Sequence, residues 1–253
     1  MIQDFPFYLL AVPAVLIAAV AKGGFGGGLG ILSVPMMALL ITPPQAAAIM
    51  LPLLCFMDLF GLWAYWGKWD GPNMRIMIPG ALVGIPVGAL TFRYLDAEAI
   101  KLLIGLIALG FTLDYWFRGR KEGTEPKGTS VPRGGFWAAV AGYTSFVAHA
   151  GGPPASVYLL PQRLDKTAYV ATTVILFAVV NYVKLIPYAW LGQFDRSNLL
   201  TSLVLLPLAP LGMGLGIWLH GRVPATLFYR ICYVLVFVTG LKLVYDAAMF
   251  YLG

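Results

Sequence analysis

Long apolar runs, separated by short polar connections, dominate this chain. Of its 253 residues, 60% are hydrophobic and only 11% are charged, whereas soluble domains carry about 25% charged residues. Several runs reach the roughly 20 residues that a helix needs to cross a bilayer. Because a backbone in lipid must satisfy its own hydrogen bonds, such runs form helices. The sequence therefore predicts an all-α polytopic membrane protein with the lipid bilayer as a partner.

The apolar runs divide into two sets around one basic connection. The predicted helical segments are 5–21, 29–41, 44–66, 74–94 and 97–117 in the first set, and 136–146, 155–160, 167–191, 199–219 and 223–252 in the second. Residues 118–133 hold five Lys and Arg and no apolar run. We expect a first membrane repeat at 1–117, a basic cytoplasmic linker at 118–133 and a second membrane repeat at 134–253.

The two sets resemble each other in sequence. An offset of 125 aligns Gly26-Gly27 with Gly151-Gly152, and the residues 67–70 with 192–195. An offset of 128 aligns Pro79, Gly84 and Gly88 with Pro207, Gly212 and Gly216. Three matching blocks in the same order predict an internal repeat.

The distribution of Lys and Arg favours inverted repeats. Each set contains a glycine-rich break, which is either the tip of a hairpin or the interruption of one crossing. With hairpins, 11 Lys and Arg lie on the side of the linker and three on the other side, whereas interrupted crossings give 8 and 5. The positive-inside rule favours hairpins, which make the halves inverted and place both termini outside. Inverted repeats with broken helices are a recurring transporter architecture. The basic residues behind the net charge of +6 are spread over short loops. This distribution is typical of loops that set the membrane topology and not of a surface that binds nucleic acid.

The first break, residues 22–30, contains six glycines after Lys22. Unwound backbone at membrane depth must be shielded by protein or by a water-filled cavity. Amides exposed there, together with the start of the following helix, can hold an anion. Two alternatives remain: the glycines serve close helix packing, and Lys22 extends to the interface.

The second break, residues 144–154, carries His149 and the run Gly151-Gly152-Pro153-Pro154. Proline is tolerated in the first turn of a helix, so a new helix with free amides is predicted here also. His149 aligns with Gly24 of the first break. It is either a hydrogen-bonded structural residue or a proton carrier and anion donor.

Three polar residues lie inside long apolar runs that follow the breaks in the two repeats. Asn181 and Lys184 share one helix face, and Asp58 occupies the equivalent helix of the first half. A charge in mid-helix costs about 2.5–3.5 kcal/mol on insertion scales, and it needs a partner or a cavity. Lys184 either binds an anion or extends to the interface. Asp58 either pairs with Lys22 or Lys184, or carries protons.

The residues 22–35 (KGGFGGGLGILSVP) and 142–188, with His149-Ala-Gly-Gly-Pro-Pro at their centre, resemble the TauE/SafE sulfite exporter family. The resemblance implies a transporter of sulfite, sulfonates or related anions. It extends over nearly the whole chain but does not choose the substrate.

Together these features predict a secondary transporter that moves a small anion by alternating access across the cytoplasmic membrane of a bacterium. The resemblance implies that the anion is sulfite, a sulfonate or a related sulfur-containing anion. The alternatives are an anion channel, a carrier of carboxylates or other organic anions, and, with least support, a membrane enzyme, because the sequence contains no catalytic set. We expect no cofactor and no metal, and the sequence does not indicate the oligomeric state. The candidate substrate-binding residues are Lys22, Gly24, Gly26, Gly27, Gly28, Thr144, Ser145, His149, Gly151, Gly152, Pro153, Asn181 and Lys184, and the candidates for proton coupling are His149 and Asp58.

Overall fold

The computed structural model describes residues 1–2, 4–26, 33–91, 97–117 and 126–252. These residues form eleven α-helices and a 3₁₀ turn, Leu160–Gln162. The helices of the first half are α1 (Phe5–Phe25), α2 (Ser33–Ala38), α3 (Pro43–Tyr65), α4 (Gly71–Thr91) and α5 (Ala97–Phe117). Those of the second half are α6 (Val131–Ala148), α7 (Gly152–Leu159), α8 (Lys166–Trp190), α9 (Arg196–Leu205), α10 (Leu208–Arg222) and α11 (Ala225–Leu252).

Several helices have the length and composition of membrane spans. Among the described residues, α1, α3, α4, α8 and α11 meet both criteria, and α9 with α10 makes a sixth span if the bent pair is counted as one. The all-helical membrane fold expected from the apolar runs is thereby confirmed. Polar side chains inside these helices consequently need partners within the protein.

The second break is the tip of a hairpin. The amide of Ser130, just before α6, donates to the hydroxyl of Tyr158 near the end of α7 over 3.2 Å. The amide of Lys127 donates to the carbonyl of Pro161 over 3.1 Å. The chain therefore runs along α6, turns after Ala148 and returns through α7 to the level at which it started.

The helices on either side of the first break, α1 and α3, run in the same direction. The start of α1 and the start of α3 lie together, because Ile2 and Ile49 both bond to one turn of α9. The ends of the two helices also lie together, since the Tyr65 hydroxyl donates to the carbonyl of Gly23 over 2.5 Å. Consecutive long helices that run in the same direction require the chain between them to return, and α2, which packs against α1, lies on that return.

Equivalent helices of the two halves pack antiparallel. The Tyr182 hydroxyl of α8 donates to the carbonyl of Cys55 in α3, whereas a Cβ on Gly61, further along α3, would meet Val174, which is earlier in α8. For α5 and α11 the order is also reversed: Gly105 approaches Val244, and the ring of Trp116 contacts that of the earlier Phe237. This is the direction of packing expected of inverted repeats.

Glycines set the closest contacts between the halves. The most extensive interfaces pair α4 with α6 and α1 with α10, which are equivalent pairs if the repeat is correct. A Cβ on Gly24 would lie 2.5 Å from the carbonyl oxygen of Gly216, and one on Gly216 would lie 2.5 Å from that of Val20. In the other interface, a Cβ on Gly84 or on Gly142 would clash with a backbone carbonyl of the facing helix. Each hairpin is thus held against the opposite half by backbone contact.

The structure corrects several boundaries predicted from sequence, and two of the corrections matter for the packing of the halves. The first helix does not end at Ala21 but continues through Gly23 and Gly24 to Phe25, and Gly26, which has a φ of 71°, caps it. These glycines stay helical because α10 covers them. The segment 199–219 is not one helix but α9 and α10, bent by 46°, since Pro207 has no N–H and its ring opposes a continuous helix.

Candidate functional site

A small cavity lies between the two hairpins. Its volume is about 50 Å³, which is room for roughly three or four water molecules and hence for a small oxyanion. On α8 the wall runs from Thr173 to Asn181, around the middle of a helix of 25 residues. Of the predicted site residues, those that line this cavity are Lys22, Gly26, Ser145, His149, Gly151, Gly152 and Asn181.

The two breaks reach the same cavity. A Cβ on Gly26, at the end of α1, would lie 2.8 Å from the hydroxyl oxygen of Thr173 on α8, and one on Gly151 would lie 2.6 Å from the ring of Phe177, one turn further along the same helix. Gly26, Gly151 and Gly152 all line the cavity. The cavity therefore lies between the last turn of α1 and the corner that joins α6 to α7.

Lys22 is paired with a carboxylate. Its Nζ lies 2.8 Å from Oδ1 of Asp58, and the two side chains are 8% and 0% exposed. The contact is an ion pair without hydrogen-bond geometry at Oδ1, whereas Oδ2 accepts a hydrogen bond of 2.8 Å from Nδ2 of Asn181. Lys22 therefore does not extend to the interface. Of the two lysines that could pair with Asp58, Lys22 is the one that does. These contacts join α1, α3 and α8 beside the cavity.

Lys184 is fully buried and has only neutral acceptors. Its Nζ donates to the carbonyl of Ser145 over 2.9 Å, to the hydroxyl of Ser145 over 3.0 Å, and to Nδ1 of His149 over 2.8 Å. An ammonium group has three donors, so each donor of Lys184 has an acceptor. Lys184 is not among the described residues of the cavity wall, but both of its partners are.

These contacts fix the tautomer of His149. Its Nε2 lies 3.0 Å from the carbonyl oxygen of Ala47, and because that oxygen can only accept, Nε2 carries the hydrogen. Nδ1 then presents its lone pair to the Lys184 ammonium. A second proton on the ring would face that ammonium directly, so His149 and Lys184 hold one positive charge between them. In this conformation His149 has no N–H free for an anion.

The buried cluster therefore has a surplus of positive charge. Lys22 and Asp58 neutralise each other, and the groups that act electrostatically on Lys184 are this pair and the Cys55 thiol, which is uncharged in its ordinary form. Two ammonium groups and one carboxylate leave a formal charge of +1. Isolated charge in a low-dielectric interior is costly, and an anion in the adjacent cavity would offset it.

The start of α7 offers free backbone donors to the cavity. Proline at positions 153 and 154 removes two of the amides that a helix start normally leaves unpaired. The amides of Gly151 and Gly152 remain, and neither donates to another described residue. A Cβ on Gly151 would lie 2.6 Å from the ring of Phe177 and 2.7 Å from the carbonyl oxygen of Ala141. Glycine is thus required for this corner to close against α6 and α8.

Some predicted residues lie away from the cavity. Thr144 is buried, and its hydroxyl donates to the carbonyl of Ala150 over 3.1 Å, so it shapes the turn after α6. Gly24 packs against α10, and Pro153 is buried in the first turn of α7. Gly27 and Gly28 lie outside the described residues.

Other residues near the breaks were not identified from sequence. The Tyr188 hydroxyl donates to the carbonyl of Phe146 over 3.0 Å, as that of Tyr65 does to Gly23 at the other hairpin. His220 Nδ1 lies 3.1 Å from the carbonyl oxygen of Gly24, to which it donates. The repeat was a usable signal for the tyrosines, because both end equivalent helices. His220 is a polar residue in an apolar segment, the same signal that identified Lys184.

This architecture defines a helical integral membrane protein whose buried polar site lies between two hairpins. Residues 11–243 match the Sulfite exporter TauE/SafE family, and the chain belongs to it. The family is one of membrane exporters of sulfite and related anions. No curated protein and no solved structure matches the chain.

Proposed function

We propose that this protein is a secondary carrier that moves a small anion across the cytoplasmic membrane of a bacterium by alternating access. Sulfite, a sulfonate or a related sulfur-containing anion is the substrate class, in keeping with the family. The observation that carries the proposal is a cavity bounded by both hairpins and adjoined by a buried cluster of charge +1.

The anion lies against the corner between α6 and α7. The amides of Gly151 and Gly152 and the ammonium of Lys22 donate to it directly. Ser145 adds its hydroxyl hydrogen, which is free because the Ser145 oxygen accepts from Lys184. Lys184 acts through Ser145 and His149 and supplies the charge that makes an anion favourable. Hydrogen bonds that involve an ionised group are roughly twice as strong as neutral ones.

Alternating access follows from the two hairpins. Residues 1–117 and 134–253 form inverted repeats, joined by an internal linker at 118–133. The antiparallel packing of α3 with α8 supports this arrangement. Because each hairpin packs on the opposite half, movement of one half against the other opens one side of the cavity while it closes the other. Cysteine labelling should place the N-terminus outside and residue 127 inside, and labelling of both from one side would contradict inverted repeats.

A transport assay tests the function. Purified protein in proteoliposomes should take up sulfite and methanesulfonate with saturation, and internal unlabelled anion should accelerate entry of the labelled anion. A proton gradient is added or omitted to test coupling through His149 or Asp58. Uptake without saturation or exchange would favour the channel alternative, and uptake of acetate alone would favour a carboxylate carrier. Absence of anion uptake under all conditions would contradict the proposal.

A further inference from the structure

The charge of the buried cluster has a consequence for the charge of the substrate. Four polar side chains form it: Lys22 with Asp58, and Lys184 with His149. The first pair is neutral as an ion pair. The second holds one positive charge, because the Ala47 carbonyl keeps the hydrogen of His149 on Nε2 and the lone pair of Nδ1 on Lys184.

The surroundings offer no second compensating charge within the described chain. Asp58 is 0% exposed, and its Oδ2 is occupied by the amide of Asn181. Cys55 and Tyr182 pack beside it and carry no charge in their ordinary forms. The remaining wall of the cavity is formed by glycine, apolar side chains and hydroxyl groups.

We infer that the site selects anions by charge and is built for a monoanion. This inference rests on the proposed function and adds the charge of the substrate to it. A monoanion makes the cluster neutral when it binds. A dianion of the same size leaves a charge of −1 in a cavity whose volume of about 50 Å³ has little room for water. For a sulfur oxyanion, the singly charged form is the species that binds.

Asp58 sets this preference. Removal of its charge raises the formal charge of the cluster from +1 to +2, which makes a dianion the species that restores neutrality. Because Coulomb energy is proportional to the charge of the ligand, a change of one unit in the site acts twice as strongly on a dianion as on a monoanion.

The test uses methanesulfonate and sulfate, which have nearly the same size and shape and carry one and two charges. Their binding to the purified full chain is measured by calorimetry in mildly alkaline buffer. The wild-type protein should bind methanesulfonate at least about tenfold more tightly than sulfate. Asp58→Asn should strengthen the binding of both anions. The factor gained by sulfate should be about the square of the factor gained by methanesulfonate, so that this variant prefers sulfate.

Lys184→Gln is the second variant and changes the charge in the opposite direction. It should weaken the binding of both anions, and the factor lost by sulfate should be about the square of the factor lost by methanesulfonate. Lys242→Met removes a cation that pairs with Asp246 on α11, away from the cavity, and should leave the ratio unchanged.

If Asp58→Asn does not fold, Lys184→Gln decides. An equal ratio of the two affinities in the wild-type protein and in every folded variant would overturn charge selection and leave anion transport intact. Failure of the wild-type protein to bind either anion would contradict the proposed function itself.

Discussion

The two hairpins use similar sequence for different purposes. In the first hairpin, Gly23 and Gly24 remain helical and let α1 approach the backbone of α10. In the second, Gly151 and Gly152 turn the chain at the cavity, and their amides donate to no other described residue. The first therefore supplies close packing, and the second supplies the donors for the anion in the proposed mechanism.

The lysines near the hairpins differ in the same sense. Lys22 has a carboxylate partner at 2.8 Å, whereas Lys184 has a carbonyl, a hydroxyl and an imidazole. One charge is compensated by a carboxylate of the protein, and the other has only neutral partners and is, in our proposal, compensated by the substrate. The two repeats can thus share one arrangement of helices although only the second contains a charge without an oppositely charged partner.

The largest expected effect is on folding and comes from the first hairpin. In Gly24→Ala the new Cβ would lie 2.5 Å from the carbonyl oxygen of Gly216. Overpacking of this kind costs about 1–3 kcal/mol, and the backbone on both sides leaves no flexible side chain to move. The melting temperature in detergent and the yield of monodisperse protein should both fall.

Gly214→Ala is the matched control on α10, where a Cβ would meet no atom within 4 Å. It should leave the melting temperature unchanged or raise it, since alanine is favoured over glycine in a helix by about 1 kcal/mol. If both substitutions leave the melting temperature unchanged, packing does not require glycine at position 24. The prediction that Gly24 binds the anion would then have to be tested directly.

A smaller effect is expected at the second hairpin, on binding. Ser145→Ala keeps the carbonyl that accepts from Lys184 but removes the hydroxyl between Lys184 and the cavity. Loss of one hydrogen bond costs about 0.5–1.5 kcal/mol, or roughly 2- to 13-fold in affinity. Calorimetry with methanesulfonate measures the change. Unchanged affinity in a stable variant would remove Ser145 from the binding residues.

The smallest effects concern the tyrosines that hold the two tips. Tyr65→Phe and Tyr188→Phe each remove one hydrogen bond to a tip carbonyl. Such bonds within membranes contribute about 0.6 kcal/mol on average, so each variant should lose a few degrees of melting temperature at most. Similar losses are expected, because here the hairpins are alike. A large loss for one variant alone would indicate that the two tips are held differently.

The sequence predicted the parts of this fold that depend on local physics. The apolar runs became helices, and Asp58 and Lys184 lie buried within them, although for Lys184 the sequence had also allowed a position at the interface. The extent of α1 could not be predicted, because glycine disfavours a helix locally and only the surface of α10 keeps Gly23 and Gly24 helical. For the site, the sequence named Lys22 and Lys184 as equal candidates for pairing with Asp58. Which pair forms depends on how α1 and α8 lie beside α3, and no local pattern encodes that arrangement.

The most direct test of the central claim is anion binding to Lys184→Met. The substitution removes the uncompensated charge and nearly keeps the length of the side chain. Affinity for methanesulfonate should fall by about 10- to 150-fold, the equivalent of about 1.5–3 kcal/mol. Lys242→Met, which removes a half-exposed cation of α11, should bind as the wild-type protein does. If Lys184→Met remains folded and binds methanesulfonate with unchanged affinity, Lys184 is structural and the account of the site is wrong.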